Sequence, residues 1–189
     1  MAVARRMGPK GSEIWNSMLD AAEVILRDEG YGLLTSRRVA EVVGVKQRLV
    51  YYYFETMEQL IVETFQRLAV RDLERLRSAL ASNHSIREIW NVCIRTTDTR
   101  IVQEFMALAN RIEPLRKEVR AYIEETRAMR ADAISKALDR SGLGATFSPV
   151  AASIFAESAA LALHREAQLG VTSGHAEVLA IIDAYLSRL

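Results

Sequence analysis

Thr35-Ser36-Arg37-Arg38-Val39-Ala40-Glu41-Val42-Val43-Gly44-Val45-Lys46-Gln47-Arg48-Leu49-Val50-Tyr51-Tyr52-Tyr53-Phe54 holds two short amphipathic segments around one glycine. Thr35 offers an N-cap oxygen to the first, whose apolar side is Val39, Ala40 and Val43. Gly44, tolerant of positive φ, ends it after about eight residues. The second segment runs from about Lys46 to Tyr53. It sets Val50 and Phe54 four apart on an inner face and leaves Lys46, Gln47, Arg48, Leu49, Tyr51 and Tyr52 on the outer one. This layout predicts a helix-turn-helix, whose second helix enters the major groove with its N-terminal residues at the base edges. The small Ala40 lets the two helices cross closely. From Arg37 to Arg48, four basic residues (Arg37, Arg38, Lys46, Arg48) face one acidic residue, Glu41, a local excess of +3.

The residue types suit DNA. Arg48 and Gln47 can make bidentate hydrogen bonds to guanine and adenine edges, and Leu49 can touch a thymine methyl. The hydroxyls of Tyr51 and Tyr52 can reach phosphate oxygens, which fixes register without reading sequence. Taken alone, the run Tyr51 to Phe54 reads as core packing, the commoner role of clustered aromatics. The spacing around it favours a DNA face.

The chain as a whole is near neutral, with 25 Lys+Arg against 24 Asp+Glu, so nucleic-acid binding has to come from that local patch. Its 189 residues, half of them hydrophobic, suffice for one domain or a small domain joined to a larger one. The lone Cys93 cannot form an internal disulfide, and no uninterrupted apolar run approaches the roughly 18 residues of a membrane span. A charged N-terminus without an apolar stretch behind it predicts no signal peptide, and a cytoplasmic location is expected. Nine Gly and three Pro amid Ala, Leu, Arg and Glu favour helix, and an all-α fold follows.

About nine helices are expected. The first, Ser12 to about Glu29, repeats Ile14, Met18, Ala21, Ala22, Ile25 and Leu26 along one face. Thr56-Met57-Glu58-Gln59 reads as a capping box opening a long helix to about Ala81, and Ser85-Ile86-Arg87-Glu88 opens the next. Polar Thr96-Thr97-Asp98 interrupts that helix before the series Ile101, Phe105, Leu108 and Ile112. Pro114 suits the first turn of a helix that ends at Ser141-Gly142-Leu143-Gly144, and Ser148-Pro149 starts one running to Leu169. The last spans about Gly174 to Ser187. The motif divides the chain into a helix-turn-helix domain, 1-55, and a larger helical domain, 56-189.

Gly30-Tyr31, Thr35 to Val45, Val50-Tyr51-Tyr52-Tyr53-Phe54 and Glu58-Gln59-Leu60 resemble, in order and spacing, the N-terminal signature of the tetracycline-repressor (TetR) family of bacterial transcription regulators. The resemblance is close from Ile14 to Phe65 and extends further only in helix number, length and amphipathic pattern. It implies that Thr35, Ser36, Arg37, Gln47, Tyr51 and Tyr52 contact DNA, mostly at phosphates. Arg48 and Leu49 replace the family's frequent small residue or Pro and its Thr, so base preference should be this chain's own. Tyr53 replaces a frequent His. Met57 stands where a phosphate-binding Lys is usual, which removes that contact.

The family keeps an effector cavity in its C-terminal domain, and the resemblance places a ligand among Trp90, Cys93, Phe105, Met106, Tyr122, Met129, Phe155 and His164. Without it, these large apolar stripes read as core, and His164 as a hydrogen-bonded core histidine. Tyr122 and His164 are the polar groups expected to orient the ligand. The absence of Lys or Arg on those stripes predicts a mainly apolar effector. Family members pair their last two long helices across a two-fold axis, which predicts a homodimer through Phe155, Ala159, Leu163, Val178, Ile182 and Leu186. The Ala-rich helix carrying the first three permits close approach.

His84, His164 and His175 are scattered without metal-ligand spacing, so no metal or cofactor is expected, and His84 and His175 read as solvated. No nucleophile and base are spaced for catalysis, and no enzyme is expected. The function these readings support is a ligand-responsive regulator, a repressor, that binds a palindromic operator of double-stranded DNA as a homodimer and makes no membrane contact. The alternative is a helical small-molecule-binding module or enzyme without DNA-binding activity.

Overall fold

The computed structural model describes residues 9–81, 85–96, 99–140 and 148–187. Among them are nine α-helices and no strand: α1 (Glu13–Asp28), α2 (Ser36–Val43), α3 (Gln47–Tyr53), α4 (Met57–Leu80), α5 (Ile86–Thr96), α6 (Thr99–Ala109), α7 (Glu113–Arg140), α8 (Pro149–Gln168) and α9 (His175–Leu186). A short 3-10 turn, Tyr31–Leu33, joins α1 to α2. The fold is all-α, as expected. Residues 97–98 and 141–147, where breaks were read, lie outside the described residues, as does His84.

The caps explain the boundaries. Ser12, Thr35 and Ser148 each accept the third following amide at 3.1 to 3.3 Å. At α4, Thr56 Oγ1 accepts from the Gln59 amide at 3.0 Å, but the Gln59 side chain accepts from the Glu55 amide at 2.7 Å, one residue before the cap. The box at α5 closes fully, with the Ser85 amide donating to Glu88 at 2.6 Å and the Glu88 amide to Ser85 Oγ at 3.3 Å.

Two compact units emerge. The first ends at Ala69 and takes in Arg100–Arg120; the second comprises Val70–Thr99 and Ala121–Leu189. In the first, α1 buries Trp15, Met18, Leu19, Ile25 and Leu26 with Val39 of α2, Val50 of α3 and Phe54 after it. Ile14, expected inside, is exposed, because the buried face is turned by one residue toward Trp15 and Leu19. Trp15 stacks on Phe54 at 6.2 Å between centroids, and Phe65 meets Phe105 edge-on at 5.1 Å. Full burial of such side chains contributes roughly 1.5–3 kcal/mol each, ample to fix three short helices. Glu104 of α6 accepts from the Tyr31 amide at 3.2 Å, tying the turn before α2 to that helix.

In the second unit, Ile89 of α5 packs with Ile134, Ala137 and Leu138 of α7, flanked by Leu80, Ile86 and Ala152. Arg87 reaches from α5 to Asp183 and donates to Ser187 Oγ at 2.6 Å, holding α9 by polar contacts. No side chain of α9 is buried.

Candidate nucleic-acid interface and ligand pocket

Gly44 closes α2 at φ 76°, and the Val45 amide bonds back to the Ala40 carbonyl at 2.9 Å. This left-handed cap turns the chain sharply enough to start α3 three residues later. Val39, Ala40, Val50 and Phe54 anchor both helices, so Lys46, Gln47 and Arg48 are left exposed at the start of α3. Leu49 and Tyr51 are half-buried, Tyr52 is exposed, and Tyr53 is buried against it with the rings edge-on at 5.3 Å. The aromatic run therefore divides between core and surface, and neither reading of it holds for all four residues.

Ser36 is buried, unlike its neighbours Thr35 and Arg37. Its hydroxyl accepts from Gln47 Nε2 at 2.8 Å and donates to Tyr51 Oη at 3.1 Å. Three residues expected at DNA are thus bonded to one another, a bracket that sets α3 against α2. The charge is also smaller than the stretch alone implies. Arg38 grips Glu29 of α1 through contacts of 2.7 to 3.2 Å. That bond holds the Glu29 carboxyl below its ordinary range and pushes the Arg38 guanidinium up. Arg37 donates to Glu41 at 2.9 Å. Lys46 and Arg48 remain as the exposed positive groups on α3.

In the second unit a cavity of about 390 Å³ lies among α5, α7, α8 and α9. Of the expected ligand residues, Trp90 and Phe155 line it. Its other walls include Ile86, Ile89, Ile134, Leu138, Ala152, Ile182 and Leu186, so it is almost wholly apolar. Phe105 packs on Phe65 in the first unit, and Met106 of the same helix is exposed. His164 Nδ1 lies 3.1 Å from the Ala160 carbonyl, and Met129 is half-buried. His175, expected in solvent, lies 3.0 Å from Glu166.

Cys93 and Tyr122 belong to a polar cluster. Tyr122 donates to Asp72 at 2.6 Å, and Arg130 pairs with Glu157 at 3.1 Å. Burial, then the Asp72 charge, push the Tyr122 phenol well above its ordinary range; burial raises the Cys93 thiol as well. Arg130, only 8% exposed, corrects the expectation that no basic side chain faces inward. It breaks the apolar periodicity of α7, and its burial is possible only because α8 supplies Glu157. No group of three or more potential metal-ligating side chains occurs among the described residues.

Residues 18–64 match the family described as bacterial regulatory proteins, tetR family. The matched segment takes in most of α1 and all of α2 and α3. A tetR-family regulator from Rhodococcus sp. superposes with a TM-score of 0.75 at 21% identity, over 93% of this chain and 100% of that one. A transcriptional regulator from Saccharomonospora viridis, in complex with choline, gives 0.75 at 12% identity over 84% and 86%. A TetR regulator from Haloarcula marismortui gives 0.71 at 17% over 92% and 96%. At these identities the likeness is one of fold, that of tetR-family regulators. No curated protein matches the chain.

The chain also exposes apolar side chains on α8, α9 and the turn between them. Phe155 is 76% exposed, Leu169 76% and Ile181 70%, with Val178, Leu179 and Tyr185 beside them. Of the residues expected at a dimer contact, Phe155 and Val178 are exposed, while Ala159, Leu163, Ile182 and Leu186 are half-buried. Sequence reasoning missed Ile181 and Tyr185, although both continue the apolar series of α9. Among the described residues no helix is long and apolar enough to cross a membrane.

Proposed function

We propose that this chain is a ligand-responsive transcriptional repressor that binds a palindromic operator as a homodimer and is released by a small, mainly apolar effector. The observation that carries the reading is the start of α3, where Lys46, Gln47 and Arg48 stand exposed on a helix anchored from behind by Val50 and Phe54. Lys46, Arg37, Thr35, Tyr51 and Tyr52 contact phosphates; Gln47, Arg48 and Leu49 read bases. Ser36 acts through its bonds to Gln47 and Tyr51. The α8 and α9 face, left apolar and open, is the dimer contact. A two-fold dimer presents two α3 helices to half-sites about 34 to 36 Å apart or a multiple of that.

The effector enters the cavity walled by Trp90 and Phe155. Helix α4 is the transmitter, since it starts just after Phe54 and its last residue, Leu80, packs on the core of Ile89, Ile134 and Leu138. A ligand that binds one setting of this helix more tightly by about 1–3 kcal/mol loosens DNA some 5 to 150-fold. Selection from random duplex DNA tests the reading. A palindromic motif is expected, with affinity falling steeply as salt rises. Folded protein that enriches no motif at low salt overturns it.

A further inference from the structure

Helix α3 opens without a side-chain cap, because Lys46 stands at the cap position and carries no acceptor for the first amides. Its first residue, Gln47, is exposed at the end of the helix that meets base edges in a helix-turn-helix. An untethered glutamine there turns about its side-chain torsions, and freezing them opposes binding. Its amide can also turn over, offering a base either its carbonyl or its N–H groups. Here the amide is held. Gln47 Nε2 donates to Ser36 Oγ at 2.8 Å, across from α3 to the first residue of α2.

Ser36 is itself fixed. It is only 6% exposed, and its hydroxyl donates to Tyr51 Oη at 3.1 Å, one turn beyond Gln47 on α3. The one Ser36 proton goes to Tyr51, so a lone pair faces Gln47 and meets an N–H rather than the carbonyl. With that N–H engaged, Gln47 keeps its carbonyl and its second N–H for DNA, an acceptor and a donor. Adenine presents the complement in the major groove, the N6 amino group and N7. Guanine presents two acceptors, N7 and O6, and O6 would stand against the Gln47 carbonyl.

Resting on the reading of α3 as the helix that reads bases, we propose that Ser36, from its buried place on α2, is the positioning residue that sets the specificity of Gln47. It holds the amide with the carbonyl outward, so that Gln47 selects adenine and rejects guanine.

The test uses the full chain and the duplex motif returned by selection. Gln47→Ala locates the operator position that Gln47 reads, as the one whose base preference flattens. An A·T pair is expected there, preferred over G·C by roughly 5 to 150-fold. Ser36→Ala removes one oxygen and leaves the Thr35 cap in place, so the helices still form. It should cut that preference about fivefold or more while leaving the position that Arg48→Ala relaxes unchanged. In the Gln47→Ala background the same substitution should alter base preference no further. If Ser36→Ala weakens every sequence alike, the hydroxyl only packs α2 on α3 and the proposal is overturned. A G·C pair at that position, or a Gln47→Ala variant that flattens no position, overturns it as well. A folded protein that enriches no motif overturns the DNA-binding reading itself.

Discussion

Arg48 and Tyr51 lie one turn apart on α3 and are assigned different work. Arg48 is exposed and its guanidinium can bridge two acceptors on one guanine, so Arg48→Ala should cost roughly 1–3 kcal/mol and relax one operator position. Tyr51→Phe removes the proposed phosphate contact and the acceptor of the Ser36 hydroxyl, so binding should weaken alike on all sequences. Titration of the selected operator and its single-base variants separates the two patterns. Glu29 supplies a pH dependence. Its carboxyl is held low in the folded protein by Arg38, so its contribution to stability is complete above the ordinary carboxyl range and lost as pH falls through the lowered value. Glu29→Gln should therefore destabilise the protein at neutral pH, and the gap from wild type should close in acid, as urea unfolding at stepped pH reads out.

At the scale of elements, the turn between α2 and α3 depends on one backbone setting. At φ 76° Gly44 has open space around its Cβ position, so a side chain there meets no clash and only the left-handed backbone resists it. Gly44→Ala should destabilise by about 1–2 kcal/mol in urea titrations and weaken DNA binding further by tilting α3. The cavity of the second unit offers the converse probe. Ala152 is small and lines it, so Ala152→Phe should abolish the response to effector while leaving operator affinity intact. A filled variant that is released from DNA as wild type is would move the effector elsewhere.

For the whole molecule, the α8 and α9 surface decides whether two α3 helices can act together. Phe155 and Ile181 are among its most exposed apolar side chains, and neither supports a buried core, so replacing both with Asp should leave the fold intact. Sedimentation equilibrium should then show monomer at micromolar concentration, against the dimer expected of wild type, and operator affinity should collapse, because each half-site is read alone. A variant that stays dimeric puts the contact on another face.

Local chemistry was legible in the chain. Caps at Thr35 and Ser148, the glycine at 44 and the period of the apolar residues act within a few residues, so each helix and the exposed start of α3 could be read from spacing alone. What depended on distant residues could not. Arg38 is positive in its own stretch, yet Glu29 on another helix takes it. Ser36 reads as an exposed first-turn serine, yet α3 covers it. Arg130 and Ser153 look like ordinary helix residues until α7 and α8 meet and enclose them. Phe105, expected to line a pocket, belongs to the first unit with Phe65, because helix period gives a residue's face but not the partner that face meets. Sequence by itself determined which elements form and where they stop, through bonds spanning one turn. Only the tertiary structure decided which charges are cancelled, which polar groups are buried and which apolar faces stay open, since those outcomes depend on contacts between residues far apart in the chain.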